Sequence, residues 1–185
     1  MRIVNIVASV NLNQTLNLNS IVKAFPSVNY MPEKFPGAVF KLKKPKTANL
    51  IFSTGKMVCV GATSEKQAKR AVIKVIQILK DKGILIIGRP TIQIVNIVAS
   101  ANIGGYVDIE NTAYVLERSM YEPEQFPGLI HRMDEPKVVI LLFSKGQLVI
   151  TGAKTEDQIY EAVARLQRRL EEENLISYDG YEADG

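Results

Sequence analysis

The sequence is poor in the residues that carry covalent and metal chemistry. Its 185 residues include one cysteine, one histidine and no tryptophan. A single Cys59 cannot form a disulfide within the chain, which fits a reducing compartment. Cys59 and His131 form no thiol–imidazole pair or metal motif, and no Gly-rich phosphate loop is present. We therefore expect no enzymatic activity, no catalytic or metal-ligating residues and no cofactor, and we expect His131 to lie on a strand surface.

Long apolar runs are also missing. No apolar stretch reaches the roughly 18 residues that a transmembrane helix needs. Asn5 interrupts the apolar N-terminal stretch, which differs from the layout of a secretory signal peptide. We therefore expect a cytoplasmic protein.

Acidic residues are scarce in the first half of the chain and abundant in the second. Residues 1–91 contain 15 Lys and Arg against 3 Asp and Glu, a net charge of +12. Residues 92–185 contain 8 and 16, a net charge of −8. This polarity predicts nucleic acid or acidic proteins as partners of the first half and a basic protein for the second. The acidic end, residues 177–185, is expected to be disordered.

The dominant feature that is present is an internal repeat. The heptapeptide IVNIVAS occurs at 3–9 and again at 94–100, and the same offset of 91 aligns LIFSTG at 50–55 with LLFSKG at 141–146. Pairing residues 3–83 with 94–174 gives 28 identities in 81 positions without a gap. A period this long indicates two copies of a whole small fold rather than a solenoid. We predict repeats over 1–91 and 92–176, related by a pseudo-twofold axis.

Each repeat reads as strands followed by a long helix. In the first repeat β-branched runs and turn signals predict strands at about 3–12, 28–33, 37–43, 47–53 and 56–61, and a short helix at 16–25. Ser64 or Thr63 opens a helix over about 64–82, which Gly83 closes. The second copy places its long helix at about 155–174. The predicted fold class is α+β, with about ten antiparallel strands and two long helices.

The predicted strands are apolar on both faces. Two amphipathic helices can cover one face of such a sheet, and nothing remaining is apolar enough to cover the other. A homodimer, a hydrophobic ligand or nucleic acid could occupy that face. Basic residues near 41–46 favour a DNA minor groove, whose phosphates would meet them. A helix-backed β-fold that binds an apolar ligand or dimerises through its open face remains the alternative.

Two matching hexapeptides place phenylalanines at turns. PEKFPG at 32–37 carries Phe35, and PEQFPG at 123–128 carries Phe126. A hairpin that turns at 44–45 sets Phe52 opposite residue 37 and so beside Phe35, and the same arithmetic sets Phe143 beside Phe126. Apolar side chains of this kind can enter base steps from the minor groove and kink DNA.

Two asparagines occupy matching positions in otherwise apolar strands. Asn5 and Asn96 are candidate amide donors to an A·T minor groove, whose floor offers only acceptors.

These motifs together resemble the TATA-box-binding proteins, in their short archaeal form. The resemblance covers about 3–174 and rests on VNIVAS twice, FPG twice, LIFSTGKMVCVGA and LLFSKGQLVITGA. It implies a saddle whose concave underside binds the minor groove of TATA-box promoter DNA and whose convex side carries the helices. Apolar wedges that kink the duplex are a known property of this family. The resemblance implies a general transcription initiation factor that works at the archaeal nucleoid.

The resemblance also assigns residues to roles. The intercalating wedges fall on Phe35, Phe52, Phe126 and Phe143, and phosphate contacts fall on Lys41 and Arg132. Glu122 and Glu124 fall at the docking place of transcription factor B, which with the RNA polymerase initiation complex is an implied partner. A homodimer is a further expectation for the free protein. The base-edge and floor positions fall on Asn5, Val7, Leu50, Val58, Val60, Asn96, Val98, Leu141, Val149 and Thr151.

Overall fold

The computed structural model of the chain describes residues 1–181. The helices are α1 (Leu18–Ala24), α2 (Glu65–Asp81), α3 (Ile109–Val115) and α4 (Glu156–Glu172). The strands are β1 (Arg2–Asn11), β2 (Ala38–Lys43), β3 (Lys46–Ile51), β4 (Lys56–Ala62), β5 (Thr91–Asn102), β6 (Tyr106–Val107), β7 (Ser119–Met120), β8 (Leu129–Met133), β9 (Val138–Leu142), β10 (Gln147–Ala153) and β11 (Ile176–Ser177). None of these helices is long and apolar enough to cross a membrane.

The chain divides into two compact units. One comprises Val4–Val95, and the other comprises the residues from Asn96 onward together with Met1–Ile3. Within the first unit the strands are ordered β2-β3-β4-β1, and within the second β5-β10-β9-β8-β7. Neighbouring strands within each unit pair antiparallel, and in the second unit β6 pairs with β11 in a separate two-stranded sheet. The predicted α+β class, the tandem repeat and the two long helices are confirmed.

The two long helices begin and end in the same way. The side chains of Ser64 and Thr155 cap α2 and α4 by accepting a hydrogen bond from the backbone N–H three residues later. Gly83 follows α2 with a φ of +87°, and Asn174 follows α4 with a φ of +55°. In both cases the next backbone N–H bonds back to a carbonyl five residues earlier, which satisfies an otherwise unpaired helix end.

Each long helix packs on the sheet of its own unit. Helix α2 contacts β3 and β4, and α4 contacts β10. The apolar residues that recur at helical spacing in α2 are all buried there: Ala68, Ala71, Val72, Val75, Ile76 and Leu79. Burying a large aliphatic side chain contributes about 1.5–3 kcal/mol, so this stripe is a main part of the core of its unit.

Three expectations differ from the structure. Residues 28–33 do not form the predicted strand, and Asn29 makes only an isolated bridge to Val39. His131 is buried, with 9% exposure, because it lies on the helix-covered face of β8. Ser177 of β11 pairs with Tyr106 of β6, so the start of the acidic end is ordered and not disordered as expected. Residues 182–185 of that expected tail lie outside the described residues.

Candidate nucleic-acid interface

Each unit has a sheet face that its long helix does not cover. In β1, Ile6 and Ala8 are fully buried, whereas Asn5 and Val7 are only half-buried. The same alternation runs along β4, β9 and β10. One face therefore belongs to the core and the other remains accessible, because successive residues of a strand point to opposite faces.

The predicted floor residues all lie on the accessible face. All ten are half-buried: Asn5, Val7, Leu50, Val58, Val60, Asn96, Val98, Leu141, Val149 and Thr151. The strand register sets several side by side. Val7 pairs with Val60, Leu50 pairs with Val58, and Val149 pairs with Leu141. The result in each unit is a small aliphatic surface with few polar atoms.

The two matching asparagines share one arrangement. Asn5 Oδ1 accepts a hydrogen bond from Gly61 N–H at 2.8 Å, and Asn96 Oδ1 accepts one from Gly152 N–H at 2.8 Å. A backbone N–H can only donate, so each amide oxygen must face its glycine. In the first unit this bond lies beside an irregularity in the β1–β4 ladder between Ile6 and Val7. Neither Asn amide nitrogen has a hydrogen-bond partner within residues 1–181, so both remain available as donors.

The four phenylalanines form two matching pairs. The rings of Phe35 and Phe52 have centroids 5.8 Å apart and an interplanar angle of 69°, and those of Phe126 and Phe143 have 5.8 Å and 67°. Such edge-to-face contacts stabilise aromatic pairs. The hairpin register that aligns Ala38 with Ile51 accounts for the first pair, as the sequence predicts.

A glycine lies under each aromatic pair. A Cβ added to Gly37 would lie 2.8 Å from Phe35 Cε1 and 3.0 Å from Phe52 Cε1. A Cβ on Gly128 would lie 2.9 Å from the Cε1 atoms of both Phe126 and Phe143. The FPG motif therefore supplies one ring of each pair and, at its glycine, the room that the two rings need to come into contact.

The predicted polar contacts lie on exposed positions. Lys41 and Arg132 are exposed and lie on the same side of β2 and β8 as the accessible faces. Glu122 and Glu124 are exposed in the loop that precedes Phe126. Glu122 also anchors this loop, because its carbonyl accepts hydrogen bonds from the N–H groups of Gln125 and Phe126.

The residues with shifted pKa values near the sheet lie on the helix-covered faces. Burial lowers the pKa of His131, and burial raises the pKa of the Cys59 thiol. His131 Nδ1 lies 3.1 Å from Ser119 Oγ. No cluster of three or more metal-ligating side chains occurs within residues 1–181.

Sequence reasoning left some members of this face unnamed. Val39, Ser9, Ser100 and Ile130 are half-buried and alternate with core residues in the same way. Because alternate residues of a strand share a face, counting by twos along each strand from a floor residue such as Val7 or Val98 could have identified them. Gly61 and Gly152, which fix the two asparagines, carried no such signal beyond their recurrence in the repeat.

The fold and this face define a class of protein: a duplicated α+β chain in which each repeat presents an aliphatic sheet face beside a pair of aromatic rings. The family model described as transcription factor TFIID, or TATA-binding protein, matches residues 1–82 and 91–173. The chain belongs to this family. It is a general transcription factor that binds TATA-box promoter DNA and is not an enzyme.

Individual relatives agree over nearly the whole chain. The TATA-box-binding protein of Pyrodictium occultum is 56% identical over 172 residues, covering 93% of this chain and 86% of that protein. The protein of the same name from Sulfolobus acidocaldarius is 51% identical over 176 residues, covering 95% and 89%. The solved structure of Methanococcus jannaschii TBP superposes with a TM-score of 0.86 at 42% identity, covering 92% of this chain and 98% of that one.

Proposed function

We propose that the protein recognises its promoter by laying the accessible face of each unit against the minor groove of A·T-rich DNA and kinking the duplex with its four phenylalanines. The observation that carries this proposal is the repeated construction of an aliphatic face flanked by an edge-to-face Phe pair on a glycine. Aromatic pairs that keep part of their ring surface exposed contribute less to a core than buried ones, so their duplication is best explained by a partner that receives them.

The floor chemistry favours A·T base pairs. An A·T pair presents only acceptors in the minor groove, whereas a G·C pair adds a guanine amino group that projects from the floor. Half-buried aliphatic side chains such as Val7 and Val98 can lie flat on the first and would clash with the second. The free amide nitrogens of Asn5 and Asn96 supply donors that match those acceptors.

The Phe pairs supply the wedges. Phe35, Phe52, Phe126 and Phe143 each retain exposed ring surface. Inserting such a ring between base pairs costs a few kcal/mol of unstacking, which wider contact with the bent groove offsets. Because each ring already contacts its neighbour at a fixed angle, less side-chain freedom is lost on binding.

The proposed phosphate contacts orient the duplex but do not recognise its base sequence. We assign phosphate contacts to Lys41 and Arg132, which flank the aliphatic face in their units. Such contacts set affinity and register and make binding weaken with added salt.

The exposed acidic loop before Phe126 is a candidate contact for protein partners. We propose that Glu122 and Glu124, exposed in the loop before Phe126, contact transcription factor B, and that the complex then recruits RNA polymerase at the archaeal nucleoid. The net charge of −8 in residues 92–185 supports a basic partner on this half. A homodimer of the free protein through the accessible face remains a prediction.

The test measures binding and bending together. Fluorescence energy transfer between dyes at the two ends of a short A·T-rich duplex reports the bend, and anisotropy reports the Kd. We expect wild-type protein to bend the duplex, and Phe126→Ala with Phe143→Ala to reduce the bend sharply. A matched duplex with G·C pairs at the centre of the site serves as the control. Unchanged bending by the Phe variants would contradict the proposal.

A further inference from the structure

The turn that carries Phe143 is tied to the loop that follows β5. Gly146 N–H donates to Phe143 O at 2.9 Å and closes the turn. From the loop, Ile103 N–H donates to Gly146 O at 3.0 Å and Val107 N–H donates to Ser144 O at 2.8 Å. The first unit repeats these bonds with the same geometry, from Leu12 to Gly55 at 3.0 Å and from Leu16 to Ser53 at 2.8 Å.

In the second unit a further segment, the C-terminal strap (residues 175–181), crosses that loop. Asp108 N–H donates to Leu175 O at 2.9 Å, and β11 pairs with β6. The crossing is close, because a Cβ added to Gly105 would lie 2.8 Å from Ile176 Cγ1 and 2.9 Å from Tyr178 Cδ1. The strap is therefore packed directly on the loop backbone.

Tyr181 at the end of the strap reaches the turn itself. Its hydroxyl lies 3.0 Å from Lys145 O and 2.9 Å from Asn102 Oδ1, both acceptors. Its ring packs edge-to-face on Tyr106, with centroids 5.2 Å apart. The middle of the Phe143–Gly146 turn thus receives a side-chain contact in addition to the two backbone bonds from the loop.

The first unit lacks this contact. Thr54 corresponds to Lys145, and its carbonyl accepts no hydrogen bond from any of residues 1–181. The segment after α2 is instead held by Gln14, whose amide donates to Leu85 O and accepts from Ile87 N–H, both at 2.8 Å. The two bonds of Gln14 fix this segment, and within residues 1–181 the loop contributes only its two backbone bonds to the Phe52 turn.

We infer that Tyr181 is a positioning residue for Phe143. By holding Lys145, it keeps the Phe143–Gly146 turn in one conformation, so the wedge of the second unit is more ordered before binding than Phe52 of the first. A side chain that is already ordered gives up less conformational freedom on binding, which favours insertion at that end. This inference rests on the proposed role of Phe143 as a wedge.

The experiment compares two variants that each remove one tyrosine hydroxyl. Tyr181→Phe loses the contacts to Lys145 and Asn102 and keeps the ring on Tyr106. Tyr114→Phe makes the same chemical change at a side chain that is 88% exposed. Backbone ¹⁵N relaxation reports order at Lys145 and Gly146, with Thr54 and Gly55 of the same molecule as internal reference. Energy transfer on the end-labelled A·T-rich duplex reports the bend.

We expect Lys145 to be more ordered than Thr54 in the wild type and to become less ordered in Tyr181→Phe. We expect this variant to bend DNA less and to bind it about two- to tenfold more weakly, the range that one hydrogen bond contributes. Tyr114→Phe should match the wild type throughout. A thermal melt of each variant verifies that it is folded.

Two failures are distinguishable. If Phe143→Ala abolishes bending while Tyr181→Phe leaves both the order at Lys145 and the bend unchanged, the positioning role is overturned and the wedge stands. If Phe143→Ala itself leaves the bend unchanged, the proposed function fails, and the role of Tyr181 fails with it.

Discussion

The side-chain oxygen of Asn5 accepts a hydrogen bond from Gly61 N–H at 2.8 Å, and this bond points the amide nitrogen of Asn5 away from the sheet backbone. Replacing Asn5 with Asp keeps an oxygen for Gly61 and replaces the NH₂ donor with an anionic acceptor. The A·T groove presents only acceptors to that oxygen, so the substitution should cost roughly 1–3 kcal/mol of binding free energy, or about a 5- to 160-fold loss of affinity. Anisotropy titration on an A·T-rich duplex measures the Kd.

A matched control for this change is Asn19→Asp, which adds the same charge at an exposed position in the first turn of α1. We expect Asn19→Asp to bind within about twofold of the wild type, and Asn96→Asp to behave like Asn5→Asp. Equal binding by Asn5→Asp and Asn19→Asp would contradict the donor role.

The glycine under each Phe pair gives a second prediction. Gly37→Ala places a methyl group 2.8 Å from Phe35 Cε1, so the ring tips must move apart. We expect a smaller DNA bend with a change in the free energy of unfolding of about 1 kcal/mol or less, because the rings lie at an accessible edge. Energy transfer on an end-labelled duplex and a denaturant melt measure the two quantities. Thr54→Ala, at an exposed position, should leave both the bend and the free energy of unfolding unchanged. If Gly37→Ala bends DNA as much as the wild type, Gly37 has no role in positioning the Phe pair.

The two proposed phosphate contacts should appear in the salt dependence of binding. Lys41→Gln and Arg132→Gln should each reduce the slope of log K against log salt by about 1, because each removes one neutralised phosphate. Lys66→Gln, on α2 and so on the helix side of its unit, should leave the slope unchanged. The slope comes from titrations at four or more salt concentrations. If all three variants reduced the slope of log K against log salt equally, the slope would depend on the net charge of the protein and not on contacts at Lys41 and Arg132.

Much of the fold was predictable because the repeat doubles each local signal. Ser64 as a cap and Gly83 as a terminator bracket α2, and the structure places its ends at Glu65 and Asp81. The Phe35–Phe52 contact followed from hairpin geometry alone, because a turn at 44–45 fixes which residues face each other. The floor residues followed from family resemblance together with strand alternation.

Other features depend on tertiary packing that no local pattern encodes. Residues 28–33 do not extend into a strand, because the segment follows Pro26 and contains Pro32, and only the bridge between Asn29 and Val39 forms. The Asn5–Gly61 bond depends on a local shift in the β1–β4 register that alternation does not reveal. The hydroxyl of Tyr181 contacts a turn 36 residues earlier in the chain. The strap that carries Tyr181 is too short to show a helical or strand periodicity in the sequence.

A buried polar residue in the first unit gives a prediction about stability. Asn49 is fully buried on the helix-covered face, and its Oδ1 has no hydrogen-bond partner among residues 1–181. The corresponding residue of the second unit is Ile140, which is also fully buried. We expect Asn49→Ile to raise the free energy of unfolding by roughly 1–3 kcal/mol, the cost of leaving such a group unsatisfied.

The reciprocal variant tests the same argument in the other unit. Ile140→Asn should lower the free energy of unfolding by a similar or larger amount, because it buries an amide among apolar neighbours. Denaturant melts measure both variants. DNA affinity should not change for Asn49→Ile, since this residue lies on the face away from the floor. Destabilisation by Asn49→Ile would show that the bonds that its Nδ2 donates, to Thr47 Oγ1 at 3.1 Å and to Phe40 O at 3.4 Å, outweigh the cost of the unpaired oxygen.

The single histidine predicts a pH-dependent stability. Burial lowers the pKa of His131 below the ordinary 6.5; the charges of Arg118 and Arg169 add to the shift, and a hydrogen bond with the Glu117 backbone and the charge of Asp134 oppose it. The unfolded chain therefore binds a proton more readily than the folded one, and this contribution to stability is complete above pH 6.5 and is lost as the pH falls below it. We expect the free energy of unfolding to decrease from pH 7.5 to 5.5. His131→Phe, which introduces the residue found at Phe40 in the first unit, should flatten this decrease, and equal slopes in the two proteins would assign the dependence to other groups.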